Sequence, residues 1–275
     1  MNPSFSTTRL GFAPFDKAFG GIYFNRPVLI HGPRNTGKSI LAAQFTAKVL
    51  RTGESICVMS DSRPDDFLLE LQSLKVDIHA SLESGQLLPI SVRQFSASGA
   101  TSETLPFPAA LDELKSLAKS RSISFFVFNT VLPWVAVPGD QIDARVDAFL
   151  STLADLSLTS ILLLPRPVSP LAKRLQKALA DRCPIVFEMH PGQDANRLLQ
   201  LTRYQGSSGK TLPVGYQVTV APGRGLIPRC EAALPAPATT ADNQPPRRRR
   251  HRALVDPAGI SASASLIEPL AQQGK

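Results

Sequence analysis

Gly32-Pro33-Arg34-Asn35-Thr36-Gly37-Lys38-Ser39 constrains this chain more than any other stretch. A short apolar run, Val28 to His31, leads into it. Ile40 to Leu50 follows, with Leu41, Ala42, Phe45, Val49 and Leu50 at helical spacing. A strand that bends at glycine and passes at once into a helix leaves a turn lined by backbone amides. Successive N–H groups then converge as a nest for anionic oxygens. The helix adds the positive end of its dipole and its unpaired first-turn N–H groups. The spacing is G-x-x-x-x-G-K-S, the phosphate-binding loop, in the strand-then-helix setting that the motif requires. Gly32, Pro33, Arg34, Asn35, Thr36 and Gly37 are expected to form the cradle. Lys38 would reach the β and γ phosphates of a nucleotide, and Ser39 would ligate Mg²⁺. The bland alternative is a glycine turn with an incidental lysine.

Strand-like and helix-like segments alternate after the loop. Ser55 to Met59, Leu87 to Val92, Ile123 to Phe128 and Ile161 to Leu164 read as strands. Arg63 to Leu74, Ala109 to Ala118, Ile142 to Leu156 and Leu171 to Ala180 read as helices. Ile123 to Phe128 is continuously apolar, the mark of a strand buried on both faces. Such alternation predicts an α/β fold, a mostly parallel sheet flanked by helices. The pattern then changes. Pro184 to Met189, Arg197 to Tyr204 and Tyr216 to Val220 read as consecutive strands, a C-terminal antiparallel extension of the sheet.

Composition excludes several classes. With 43% apolar and 19% charged residues, whole-chain disorder is excluded. The three cysteines, Cys57, Cys183 and Cys230, form no C-x-x-C pair, so neither a disulfide framework nor a cysteine-built zinc site is expected. Met1 to Arg9 lacks the apolar core of a secretory signal. Phe125 to Val137 is interrupted by Asn129, Thr130 and Pro133 and is too short to span a bilayer. The expectation is a cytoplasmic protein.

Charge sets the expected domain boundary. Residues 1–234 are expected to form one nucleotide-binding domain. From Pro235 to Lys275 there are six basic and three acidic residues, +3 of the chain's +8. Pro235 to Pro246 reads as an extended linker. Arg247 to Arg252 then packs five arginines and His251 together, and charges this dense repel one another, so the tail is expected to be disordered. It is either simply solvated or an electrostatic contact for nucleic acid, acidic protein or anionic lipid. No aromatic residue interleaves the arginines to stack on single-stranded bases.

Hydrolysis needs a carboxylate near Mg²⁺, usually at the end of a buried strand. The best strand ends in Asn129 instead, an uncharged metal-site candidate that reads equally as a cap. Hydrolysis also needs a group to orient the attacking water. Asp61, after the second strand, lies where strand ends meet a ligand crevice. It is a catalytic base or a residue that introduces the next helix. Trp134 is a base-stacking or a core residue. His31 belongs to a strand end, and His79 and His190 show no metal-ligand spacing. Ser96 to Pro108 is a long loop without Lys or Arg, which argues against DNA contact there.

Leu10-Gly11-Phe12-Ala13-Pro14-Phe15-Asp16-Lys17-Ala18-Phe19-Gly20-Gly21 resembles the segment that precedes the phosphate loop in RecA-like ATPases of the KaiC type. The loop, the strand before Asp61, the strand before Asn129 and the late strands follow in that family's order, over about Leu10 to Pro228. The resemblance implies a RecA-like core that binds ATP and Mg²⁺ between subunits of a homo-oligomer. The family's Mg-site aspartate falls on Asn129, and its catalytic glutamate pair on Ser60 and Asp61. Its late K-x-R-G falls on Arg203-Tyr204-Gln205-Gly206. Arg203 would then act across a subunit interface. These departures predict weak or regulatory ATPase activity. The rival readings are a pseudo-ATPase that presents a protein-binding surface, favoured by Asn129 and Ser60, and a DNA recombination or repair accessory, favoured by the tail.

Overall fold

The computed structural model describes residues 6–61, 63–92, 107–137, 139–192, 196–206, 212–229 and 234–235. The chain divides into two compact units, Met1–Pro237 and Ala238–Lys275. The second unit, with the Arg247 to Arg252 run, lies outside the described residues, as does nearly all of the Ser96 to Pro108 loop. Within the first unit, β12 (Leu234–Pro235) pairs with β10 (Val214–Ala221).

The sheet is built around β3 (Pro27–Gly32), whose six residues are all buried. It pairs in parallel with β7 (Thr159–Pro165) on one side and β8 (Ile185–Pro191) on the other. Beyond β7 come β6 (Phe125–Asn129), β4 (Ile56–Ser60) and β5 (Leu87–Ser91), all parallel. Beyond β8 the direction reverses through β9 (Arg197–Tyr204), β10 and β11 (Gly225–Pro228). The ten-stranded sheet therefore runs β11-β10-β9-β8-β3-β7-β6-β4-β5, with β12 on β10. One expectation is corrected. Pro184 to Met189 is not part of the antiparallel extension alone, since β8 is parallel to β3 and antiparallel only to β9.

Side chains alternate across the parallel strands and feed two cores. Ile30, Val58, Val127 and Ile161 pack under α2 (Lys38–Arg51) and α3 (Pro64–Ser73), against Phe45, Val49, Phe67 and Leu71. Leu29, Met59, Phe128 and Leu162 face the other way. There they meet α5 (Phe107–Ser120), α6 (Leu132–Val135), α7 (Ile142–Asp155) and α8 (Pro170–Arg182). Burial of each such side chain stabilises the fold by about 1.5–3 kcal/mol. Trp134 is a core residue, 3% exposed, with its ring edge-on to Phe128 at 5.5 Å. It is not placed to stack on a base.

The N-terminal segment has its own logic. The Asp16 carboxylate, in α1 (Ala13–Phe19), accepts the N–H groups of Leu10 at 2.8 Å and Gly11 at 3.0 Å. Tyr204 of β9 donates its hydroxyl hydrogen toward the Phe19 and Gly21 carbonyls. An aspartate and a pair of glycines at this spacing thus fasten the chain's start to the sheet just ahead of the loop. Several short elements were not expected from the sequence, among them α1, the pair β1 (Thr7–Thr8) with β2 (Ile22–Tyr23), the short helix α4 (Ile78–Glu83), α6, β11 and β12.

Candidate functional site

The turn from β3 to α2 forms the expected cradle. Gly32 has φ +145°, and a Cβ there would lie 2.2 Å from the Met189 carbonyl oxygen of β8, so no side chain fits. Gly37, at φ +96°, occupies the N-cap of α2 with no side-chain hydrogen bond to that helix end. No acidic residue lies in the helix's first turn. The first N–H groups of α2 therefore carry no side-chain cap and keep a net positive field. Asn35 adopts φ +60°, and the Thr36 hydroxyl donates to the Pro33 carbonyl at 2.9 Å, which fixes the bend. Thr36 and Gly37 are buried, Pro33, Lys38 and Ser39 are half-buried, and Arg34 and Asn35 are exposed.

Lys38 spans the loop. Its ammonium donates to the Gly32 carbonyl at 2.8 Å and to the Pro33 carbonyl. An ammonium carries three donors, so one is left for a phosphate oxygen. Burial, with a smaller contribution from the neighbouring Arg34 charge, pushes Lys38 down to about 8. The sign follows directly. Below pH 8 the side chain is cationic, and above it the proton is lost and so is the attraction for a polyanion. Nucleotide affinity is expected to fall about tenfold between pH 7 and pH 9 as the charged fraction falls. A direct binding titration at the two pH values checks this.

The remaining expected residues lie along the same C-terminal edge of the sheet. Asn129 ends β6, two strands from β3, or about 10 Å at ordinary strand spacing. Ser60 pairs with it in register at the end of β4. Both follow the alternation that faces α2. The Ser60 hydroxyl is fully buried and has no hydrogen-bond partner among the described residues. Buried hydroxyls are normally paired, so this one is a donor in want of an acceptor beside Asn129. Asp61 follows, exposed, with its N–H on the Asn129 carbonyl at 3.1 Å, which locks the two strand ends together. The structure thus brings Asn129, Ser60 and Asp61 to one edge with the loop.

Arg203 stands apart. On β9 it lies opposite Val186, itself level with Leu29 below the loop, and its guanidinium donates to the Ala180 and Asp181 carbonyls at 3.1 and 2.8 Å. There it neutralises the C-terminal end of α8. It does not reach its own phosphate loop.

Several residues near the loop were not singled out by the sequence. Arg166 directly follows β7, whose Pro165 pairs with Gly32. Arg197 of β9 donates its Nε hydrogen to the Asn35 carbonyl at 3.2 Å. The buried His31 lies 2.9 Å from the Gln176 amide of α8, beside Glu188. Burial holds His31 below the usual histidine range, against the pull of Glu188. The Gln44 amide of α2 bonds the Arg224 and Leu226 carbonyls and accepts the Leu226 N–H, joining the helix to the β10–β11 turn.

The cradle fits a polyphosphate, with glycines at 32 and 37, helix N–H groups without a side-chain cap and an ammonium with one donor left. For Mg²⁺ the oxygens at hand are those of Ser39 and Asn129, both neutral. Among the described residues no cluster of His, Cys, Asp and Glu would hold a metal by itself. A cation here would take most of its negative ligands from the phosphates.

A RecA-like α/β sheet carrying a phosphate loop between its central strand and the next helix defines a domain of the phosphate-loop class. Comparison with known proteins gives the family. A family profile described as "ATPase: KaiC" matches residues 8–212, and the chain belongs to that family. It is 25% identical over 119 residues to the archaeal flagellar ATP-binding protein FlaH of Sulfolobus acidocaldarius, a match over 42% of this chain and 50% of that protein. The chain thus spans about half the length of that relative. In fold it is similar to a KaiC-like protein of Pyrococcus horikoshii, with a TM-score of 0.64 at 17% identity over 84% of this chain and 100% of that one. Among the described residues no helix is long and apolar enough to cross a membrane.

Proposed function

We propose that this protein binds Mg-ATP at Gly32–Ser39 and hydrolyses it slowly, as a regulatory rather than a power-generating ATPase. The observation that carries this is an intact loop beside a strand edge where neutral Asn129 and Ser60 stand next to Asp61. The cradle and Lys38 are complete, whereas Asn129 and Ser60 replace carboxylates with neutral groups. Binding depends mainly on the amides and the ammonium. Turnover depends on negative charge near the metal and on a base for the attacking water. When bound, Mg²⁺ would supply charge neutralisation of the phosphates, held on the protein side by Ser39 and Asn129. Lys38 orients the β and γ groups, and Asp61 accepts the water's proton at its carboxylate.

Phosphate release by purified protein with Mg²⁺, set beside nucleotide binding, tests the reading. Slow but measurable release is expected. Asp61→Ala is expected to lower that rate at least ~100-fold, the low end of a general-base contribution, with affinity little changed. An unchanged rate would remove Asp61 from the mechanism. Binding with no release at all would favour the pseudo-ATPase reading, which the neutral Asn129 and Ser60 also favour.

The same reading includes assembly with nucleotide at a subunit interface and a cytoplasmic location. Because Arg203 faces away from its own loop, its catalytic role would require a neighbouring copy. Solution mass with and without Mg-ATP tests this. The Arg247 to Arg252 tail would add an electrostatic contact for nucleic acid or acidic protein. Steep salt dependence of DNA binding, lost on truncation near Leu234, is the expected sign of the former.

A further inference from the structure

We propose that Arg197 is a positioning residue for the phosphate loop, holding the Asn35 carbonyl outward so that the loop's amides face the ligand. The inference rests on the phosphate-loop reading above and adds a residue to it. Arg197 begins β9, where it is paired with Pro191 of β8 and Val218 of β10, so its backbone is fixed by strands on both sides. Its Nε donates to the Asn35 oxygen at 3.2 Å. Its Cδ lies 3.6 Å from where a Cβ on Gly37 would stand, so the aliphatic stem packs on the back of the turn. Met189 and Leu226 side chains flank the same point, at 3.4 and 3.2 Å.

The physics of a nest gives this contact its meaning. Amides that converge on an anion leave their carbonyls pointing the other way. Asn35 is the non-glycine residue of the loop with positive φ, at 60°. Asparagine tolerates that left-handed conformation better than most side-chain-bearing residues, so the bend is open to it and is steadied by what bonds its carbonyl. A guanidinium on the Asn35 carbonyl holds it from outside. The same peptide unit carries the Thr36 N–H, and a charge-assisted bond at its oxygen polarises that N–H toward the anion side. Arg suits this place better than Lys because its planar fork bonds while its stem packs. The charge of Arg197 is also felt on α3, the helix after Asp61. The Arg197 charge bears on Glu70, whose carboxyl is raised by burial and pulled back by that charge.

Amide hydrogen exchange on the full chain without nucleotide, and affinities for Mg-ATP and Mg-ADP, test the assignment in Arg197→Gln and Arg197→Lys. For Arg197→Gln, exchange at residues 35–38 should rise severalfold while β3 and β7 keep their protection. Both nucleotides should bind about tenfold more weakly, the loss expected for one charge-assisted bond. Arg197→Lys should recover part of both effects. Unchanged loop exchange in Arg197→Gln would overturn the proposal, as would faster exchange across the whole sheet, which is the mark of a merely structural residue. A loss confined to ATP would also overturn it, since that would mean direct contact with the γ phosphate. If wild type and Lys38→Ala alike bind no nucleotide, the proposed function fails instead, and loop exchange alone still decides the role of Arg197.

Discussion

Lys38→Ala is expected to weaken Mg-ATP binding at least ~100-fold, about 3 kcal/mol for a charged hydrogen-bonding group facing a polyanion. The ammonium is tied to the Gly32 and Pro33 carbonyls, so it reaches the phosphates already oriented. Alanine removes the charge and also the cross-brace of the turn. Alanine is the best helix former and Lys38 is the first residue of α2, so the helix itself should persist. Thermal unfolding without nucleotide should therefore change little while affinity collapses. Fluorescence or calorimetric titration of both proteins measures the difference. Near-equal affinities would mean that the nucleotide binds elsewhere or that the amides alone suffice.

Asn129→Asp is the second large effect, and its direction is upward. The change is nearly isosteric and places one negative charge at the strand end, in register with Ser60 and bonded through its backbone to Asp61. Phosphate release is expected to rise about tenfold or more, a barrier change of about 1.4 kcal/mol, and to depend more steeply on Mg²⁺. Steady-state release over a Mg²⁺ series checks both. A flat response would place the deficit at Ser60, where the family pattern has a second carboxylate, and would weaken the case for Asn129 as a metal-site residue.

The legible parts of this molecule were those written locally. The loop announced itself because its chemistry occupies eight consecutive residues. β6 and α2 were readable because burial on both faces or on one face leaves a period in the sequence. Partner choice was not readable in that way. Whether β8 runs with β3 or against it depends on the crossover through α8, not on the residues of β8. The short helix α4 left only Asp77, whose carboxylate caps it by accepting the Ala80 N–H at 3.0 Å. Trp134 was ambiguous because an indole serves a core or a base equally well until its neighbours are known. At the site, Arg197 was invisible because 162 positions separate it from Asn35. Ser60 read as a lost carboxylate. Only its burial without a partner among the described residues shows that it brings an unspent hydroxyl to the same edge.

The central claim is that the amide-lined bend and its ammonium seat the polyphosphate of Mg-ATP. Calorimetric titration of Mg-ATP into the full chain at pH 7 tests it most directly. The account predicts saturable binding, one nucleotide per chain, that disappears in Lys38→Ala. Absence of saturable binding in the wild type, or equal binding in the variant, would contradict it.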